Sequence, residues 1–223
     1  MRVNFLFLLI AAQLFSSAHA GPSGKNLDQN TYEAVTGESA DEDKSFWDTF
    51  YKQKDNAFGK DAVGSLRENI NKVPKGKAFV PAMGEGRNAL FLAKHGFEVT
   101  GNDISEIAVD KTMVMAKKHH LNIKSSVVDL KQYKFVENQF DFVFISLFYD
   151  RALMPGFKKI LKKGGYIMLY VEVFEGNPKA APSLFYVKHN ELTDVLKDFK
   201  IVVSKEYMDQ GKKVAGILAL IVS

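Results

Sequence analysis

With 223 residues, 46% of them hydrophobic and 25% charged, the chain has the balance of one packed globular domain, which excludes a wholly disordered or fibrous protein. The formal net charge of +4 is carried by lysines spread along the sequence; Lys117-Lys118, Lys158-Lys159 and Lys162-Lys163 fall where helices should end, where the helix dipole favours cations, so no nucleic-acid partner is expected. Cysteine is absent and His19, His95, His119, His120 and His189 show no ligand spacing, so neither a metal site nor a reactive thiol is expected.

The N-terminus combines Arg2, an apolar run from Phe5 to Phe15, and the small residues Ala18 and Ala20 before Gly21, the pattern of a secretory signal. The run is shorter than the ~20 residues that span a bilayer. Residues 1–20 are therefore expected to be a signal peptide cleaved after Ala20, giving an exported product, periplasmic or secreted, with no stable membrane span. An uncleaved signal acting as a membrane anchor is the alternative. Residues 21–44 carry too little apolar content to order themselves and are expected to form a flexible linker, which places the folded domain at 45–223.

From Lys77 onward short apolar runs alternate with segments of helical period, which predicts a doubly wound, mostly parallel α/β sheet. Strands are expected at 78–80, 97–102, 123–128, 140–145 and 166–173. Helices are expected over 88–95, closed by Gly96, from a Ser105 cap through His119, over 151–161, and from an Asn190 cap to about Asp198. The final strands, 200–206 and 214–222, are joined by Asp209-Gln210-Gly211, too short a link for parallel neighbours, so they close a seven-stranded sheet as an antiparallel hairpin.

The first strand runs into Gly84-Glu85-Gly86-Arg87-Asn88. A strand turning sharply into a helix presents backbone N–H groups and the positive end of the helix, and glycines let a ligand approach the main chain. Asp103, about 20 residues further on at the end of the second strand, stands where a carboxylate takes both hydroxyls of an adenosine ribose; as a plain strand-end residue it would cap the next helix. The motif also satisfies the G-x-G-x-x-A form of the dinucleotide fingerprint, so spacing alone leaves NAD open.

The stretch GEGRNALFLAKHGFEVTGNDIS, from Gly84 to Ser105, resembles the S-adenosyl-L-methionine site of Rossmann-like class I methyltransferases, and among them the tellurite-resistance and thiopurine-methyltransferase branch. Trp47-Asp48, Tyr51 and Ala57-Phe58-Gly59 upstream and Lys163-Gly164-Gly165 downstream extend the resemblance. It implies an S-adenosylmethionine-dependent methyltransferase. Its cofactor would meet Gly84, Glu85, Gly86, Arg87 and Asn88, then Asp103 with Ile104, then Val128, Asp129 and Leu130 around the adenine, with Ile145 alongside and Trp47 and Phe58 folding over it. Tyr51 is expected in the core. The acceptor, a small molecule such as a thiol, selenium or tellurium species, is implied at Ser146, Phe148 and Tyr149. Tyr149-Asp150 could act as a base, and Asp150 equally as a helix cap; no catalytic residue is assigned.

The sequence departs from that family at Val80 and Ala82, which replace the usual first-strand acid and a third glycine. Glu85 and Asp48 are the candidates to hold the methionine ammonium instead. This departure, together with export, motivates the alternative of a non-catalytic binding module on the same fold; an NAD-linked oxidoreductase rests on the fingerprint alone. Cleavage after Ala20 is checked by mass spectrometry of the protein from its native host. The mature chain is expected to begin at Gly21, and an intact Met1 terminus would refute export by a cleaved signal.

Overall fold

The computed structural model describes residues 40–176 and 184–222, so the expected signal and all but the last residues of the expected linker lie outside the described residues. Helix α1 (Ala40–Gln53) comes first, followed by α2 (Gly64–Asn69) and a 3₁₀ turn at Ile70–Lys72. Helix α1 thus takes up Ala40–Lys44, the last residues of the segment expected to be linker. The first turn of α1 has only the small Ala40 as an apolar residue but carries Asp41, Glu42 and Asp43, which the positive end of the helix favours, while Phe50 and Tyr51 on its last turns are buried.

Strand β1 (Lys77–Val80) leads through the glycine loop to α3 (Arg87–Lys94), β2 (Glu98–Asp103), α4 (Glu106–Lys118) and β3 (Ile123–Val127). Gly96 lies at φ 87° after α3, and the Ser105 hydroxyl accepts from the Ala108 N–H at 3.2 Å, so both expected helix boundaries are realised. A 3₁₀ turn at Leu130–Gln132 precedes β4 (Phe140–Ser146).

The second half is less regular than expected. Helix α5 covers only Met154–Lys159, with Pro155 in its first turn where a missing N–H is harmless, and β5 (Leu161–Val173) starts earlier than 166. Its pairing skips from Phe140↔Leu161 to Phe142↔Tyr166, so Lys163-Gly164-Gly165 bulges out inside the strand, with Gly164 at φ 74°. A two-residue strand β6 (Tyr186–Val187) pairs with β5, giving eight strands where seven were expected. Asn190 does precede α6 (Glu191–Val195), but at φ 62° and without a side-chain cap, and the helix stops short of Asp198. The chain closes with β7 (Lys200–Asp209) and β8 (Lys212–Leu220); Gln210 at φ 49° and Gly211 at φ 81° make the two-residue turn that suits the twist of a hairpin.

The sheet order is β3-β2-β1-β4-β5-β8-β7. Strands β1 to β5 are parallel, and β8 runs antiparallel between β5 and β7. One apolar cluster, containing Leu66, Val80, Leu92, Phe142 and Phe144, covers one face, and another, containing Phe79, Val143, Phe157, Ile167 and Leu196, covers the other. Chain order reverses between β1 and β4. In sheets of this kind ligands sit outside the carboxyl ends of the strands at that reversal.

Ala82, in the turn after β1, adopts φ 45°, a left-handed conformation that a Cβ makes unfavourable. Ala82→Gly is expected to raise the unfolding free energy by roughly 0.5–1 kcal/mol in urea titrations, the relief of strain exceeding the added entropy of the unfolded glycine. A less stable variant would mean that packing of the Ala82 methyl outweighs the strain.

Candidate functional site

The reversal between β1 and β4 opens into a pocket whose floor is the loop Ala82–Glu85, whose walls are the ends of β2, β3 and β4, and whose roof is α1 with the strap 54–63 that follows it. Thirteen of the sequence-predicted residues line it: Trp47, Phe58, Gly84, Glu85, Arg87, Asn88, Asp103, Ile104, Val128, Asp129, Leu130, Ser146 and Phe148. Asp43, Ala82, Met83, Lys131, Leu147 and Phe185 also line it and were missed, and Tyr51 reaches it from the core position expected for it.

Asp103, on the wall at the end of β2, ties the floor in place. Its side chain is buried, Oδ2 accepts from the Gly84 N–H at 2.7 Å and Oδ1 from the Ser105 N–H at 2.9 Å, so one carboxylate joins the glycine loop to the start of α4. The capping role and the position on the pocket wall therefore coexist. Burial pushes its pKa up to about 6, against the pull of these backbone donors. Asp129 likewise does two things, lining the pocket and accepting from the Lys131 N–H at 2.9 Å.

The motif side chains turn toward the roof. Glu85 accepts from the N–H groups of Asn56 at 2.9 Å and Ala57 at 2.7 Å, and from Lys111 Nζ at 3.2 Å. Arg87 Nη1 donates to the carbonyls of Phe58 and, at 3.5 Å, Asp61. Asn88, buried, accepts from the Val63 N–H at 3.1 Å and donates to Ser146 Oγ at 3.0 Å. Three side chains of one motif thus hold one strap in place. Lys111, from α4, adds the carbonyls of Tyr51 and Lys54 and the Asp55 carboxylate to its contacts.

Four sequence expectations change. Gly86 is not on the pocket wall; at φ 77°, a Cβ there would run into the Thr112 side chain, so packing against α4 requires a glycine here. Ile145 is fully buried under the sheet face and Tyr149 is packed into the same core, under the Arg151 guanidinium, with burial pushing its hydroxyl up to about 12; neither lines the pocket. Tyr149 is therefore unsuited to act as a base, whereas Asp150 does reach the pocket while capping the following turn through the Ala152 N–H at 2.8 Å. Asp48, a candidate for the ammonium, is instead occupied by Ser105 Oγ at 2.7 Å and Lys44 Nζ at 2.6 Å, which hold its carboxyl below the usual range despite burial. The roof is aromatic: Trp47 stacks on Tyr51 with centroids 5.6 Å apart and meets Phe185 at 6.1 Å. Among the described residues no cluster of His, Cys, Asp and Glu could hold a metal ion, and no helix is long and apolar enough to cross a membrane.

A parallel sheet reversing at β1/β4, a glycine loop tied to an acid at the end of β2, and an antiparallel β8 slipped in beside β5 define the fold of the class I methyltransferases. Within it the chain belongs to the family described as tellurite resistance protein TehB, whose family model matches residues 46–216. The probable S-adenosyl-L-methionine-dependent methyltransferase TehB of Haemophilus influenzae is 28% identical over 138 residues, covering 58% of this chain and 48% of that protein. Hemagglutinin 1 of Eikenella corrodens is 24% identical over 149 residues, 64% of this chain and 50% of that protein. The chain spans about half the length of these curated relatives. The crystal structure of TehB from Haemophilus influenzae has the same fold, with a TM-score of 0.63 at 22% identity over 78% of this chain and 67% of that one. So does a Burkholderia thailandensis 1,6-didemethyltoxoflavin-N1-methyltransferase with bound S-adenosylhomocysteine, at a TM-score of 0.63 and 14% identity over 89% and 92% of the two chains.

The raised pKa of Asp103 has a measurable consequence for the protein without ligand. A folded-state value near 6 against about 3.9 unfolded means that the stability contribution of its protonated form is present below pH about 3.9 and lost as pH rises through 6. The unfolding free energy of the native chain, minus that of Asp103→Asn, should fall by about 2–3 kcal/mol between those pH values. A difference independent of pH would refute the shift.

Proposed function

We propose that this protein binds S-adenosyl-L-methionine in the pocket under α1 and transfers its methyl group to a small acceptor. The observation that carries the reading is the single pocket that brings Gly84 and Asp103 together with Val128, Asp129, Leu130, Trp47 and Ser146. These residues fit the cofactor. Asp103, at the pocket wall, keeps acceptor capacity for a ribose hydroxyl beyond what it gives to its backbone donors. Val128, Leu130 and Ile104 offer apolar contact for an adenine ring, and Asp129 an acceptor for its amino group. The aromatic roof of Trp47, Tyr51 and Phe58 excludes water and suits a cation such as a sulfonium.

The cofactor supplies a methyl group already activated by the positive sulfur, so the protein has mainly to orient the acceptor and keep water out. The acceptor end is formed by Ser146, Leu147, Phe148, Asp150, Leu184 and Phe185. Ser146 is oriented by Asn88. With Tyr149 withdrawn into the core and Asp150 engaged in a turn, this end favours soft nucleophiles that need little help from a base, a thiol or a selenium or tellurium species. We further propose that the enzyme works outside the cytosol, on the strength of the N-terminal signal pattern.

Isothermal titration calorimetry of the protein with S-adenosylhomocysteine and with NAD tests the reading. The product is expected to bind and NAD not to bind. Because ribose hydroxyls donate to the ionised Asp103, affinity for the product should rise as pH increases through about 6. Binding of NAD alone would turn the assignment to an oxidoreductase, and product binding without methyl transfer to thiol, selenite or tellurite would favour the non-catalytic module.

A further inference from the structure

Behind the strap lies a second cavity of about 370 Å³, within the roughly 300–1,000 Å³ of small-molecule sites. Strap residues form one side of it; Tyr170 and Glu172 near the end of β5, with the tip of the β7–β8 hairpin, form the other. It shares Phe58, Gly59, Arg87 and Leu147 with the pocket under α1, so the strap is a wall common to both. Leu147 also belongs to the acceptor end described above.

The two cavities carry opposite charge. The pocket under α1 sets the carboxylates of Asp43, Glu85, Asp103, Asp129 and Asp150 against only Arg87 and Lys131, an excess that suits a cation. The second cavity reverses the balance. Lys54, Lys60, Arg67, Arg87 and Lys212 stand on its wall, and the only carboxylates there are those of Asp61, Glu172 and Asp209. Two of these three are engaged: Lys212 Nζ donates to Glu172 at 2.5 Å, and the buried Tyr170 hydroxyl donates to Asp209 at 2.6 Å. Arg87 is tied to the strap carbonyls of Phe58 and Asp61. Among the described residues Lys54, Lys60 and Arg67 have no carboxylate within ion-pair distance, and all three are exposed. Unpaired cations around a concave site focus the field and draw anions in.

We propose that the second cavity binds a small organic anion through Lys54, Lys60 and Arg67, and that this anion is the body of the methyl acceptor, a role that rests on the methyl-transfer reading. The anion site itself stands on the cavity and its charge. A wall of this sign favours an acceptor that carries a carboxylate away from its reacting atom over neutral or cationic homologues of the same size. The carboxylate-rich pocket under α1 takes the cationic ligand, and the two charges are kept on opposite sides of the strap.

The test is an NMR titration of the isotope-labelled full chain, saturated with S-adenosylhomocysteine, with three thiols of similar size: anionic 3-mercaptopropionate, neutral 2-mercaptoethanol and cationic cysteamine. The anionic thiol is expected to bind about tenfold or more tightly than the other two, to shift the amide signals of Gly59–Gly64 and Gln210–Lys212, and to weaken as salt is raised. Lys60→Gln and Arg67→Gln together should bring its affinity down about tenfold, toward that of the neutral thiol, while S-adenosylhomocysteine affinity read by calorimetry stays within about twofold. Equal binding of the three thiols, shifts confined to other parts of the chain, or anion affinity unchanged in the double variant overturns the anion site. With S-adenosyl-L-methionine, the double variant should raise KM for 3-mercaptopropionate more than for 2-mercaptoethanol. No methylation of either thiol, or KM values that the double variant leaves alone, overturns the acceptor role. Native protein that does not bind S-adenosylhomocysteine refutes the cofactor reading and the acceptor role together, and the same thiol series on ligand-free protein then decides the anion site by itself.

Discussion

The carboxylate of Asp103 is the joint on which the site is assembled. A parallel sheet ends in loops that have no ladder partners, and their N–H groups must be satisfied some other way. Here one buried side chain satisfies two of them, on the glycine loop after β1 and on the turn into α4. The floor of the pocket is thereby fixed to two neighbouring strands at once. Burial of the carboxylate raises its proton affinity, yet the backbone donors favour the charged form, leaving it close to the pH at which it changes state.

The same short motif also fixes the roof. Glycines at 84 and 86 shape the loop, but the Glu85, Arg87 and Asn88 side chains reach away from the sheet to the strap between α1 and α2. On the other side Asp48 of α1 receives Ser105, and Asp43 approaches Lys131. Floor and roof therefore share their hydrogen bonds, and a substitution in the motif acts on both. Gly86 shows how closely the parts are fitted, since the space a Cβ would need is occupied by Thr112 of α4.

What the sequence made legible was what it encodes locally. The strands of the parallel half, the Gly96 and Ser105 helix boundaries and the hairpin at Gln210-Gly211 all follow from periodicity, caps and turn chemistry, and appear within a residue or a few of their expected places. Most of the expected wall residues do meet in one pocket for the same reason, since they sit at strand ends. The errors lie where distant segments decide. The first turn of α1 has little apolar signal and is steadied by groups far along the chain, so the linker was drawn too long. Gly86 stands off the pocket wall, packed against Thr112, a tertiary neighbour that no local pattern shows. Tyr149 lies next to pocket residues in sequence but points into the core, an outcome set by the backbone beyond β4, where Leu147 takes φ 52° and no local pattern announces it.

The main path of the sheet ends in two long-edge rims, β3 and β7, with the two-residue β6 set off it beside β5. A rim presents backbone donors and acceptors that another chain could copy onto, the first step toward aggregation. β3 is only five residues long and carries Lys124, Ser125 and Ser126. β7 is ten residues long, but its register breaks between Ile201 and Val203, a local kink that spoils a straight template, and Lys200 and Lys205 add charge along it. A chain without cysteine has no covalent brace to hold such rims apart from their neighbours. Among the described residues, the brevity of one rim and the irregularity and charge of the other are what weigh against assembly edge to edge.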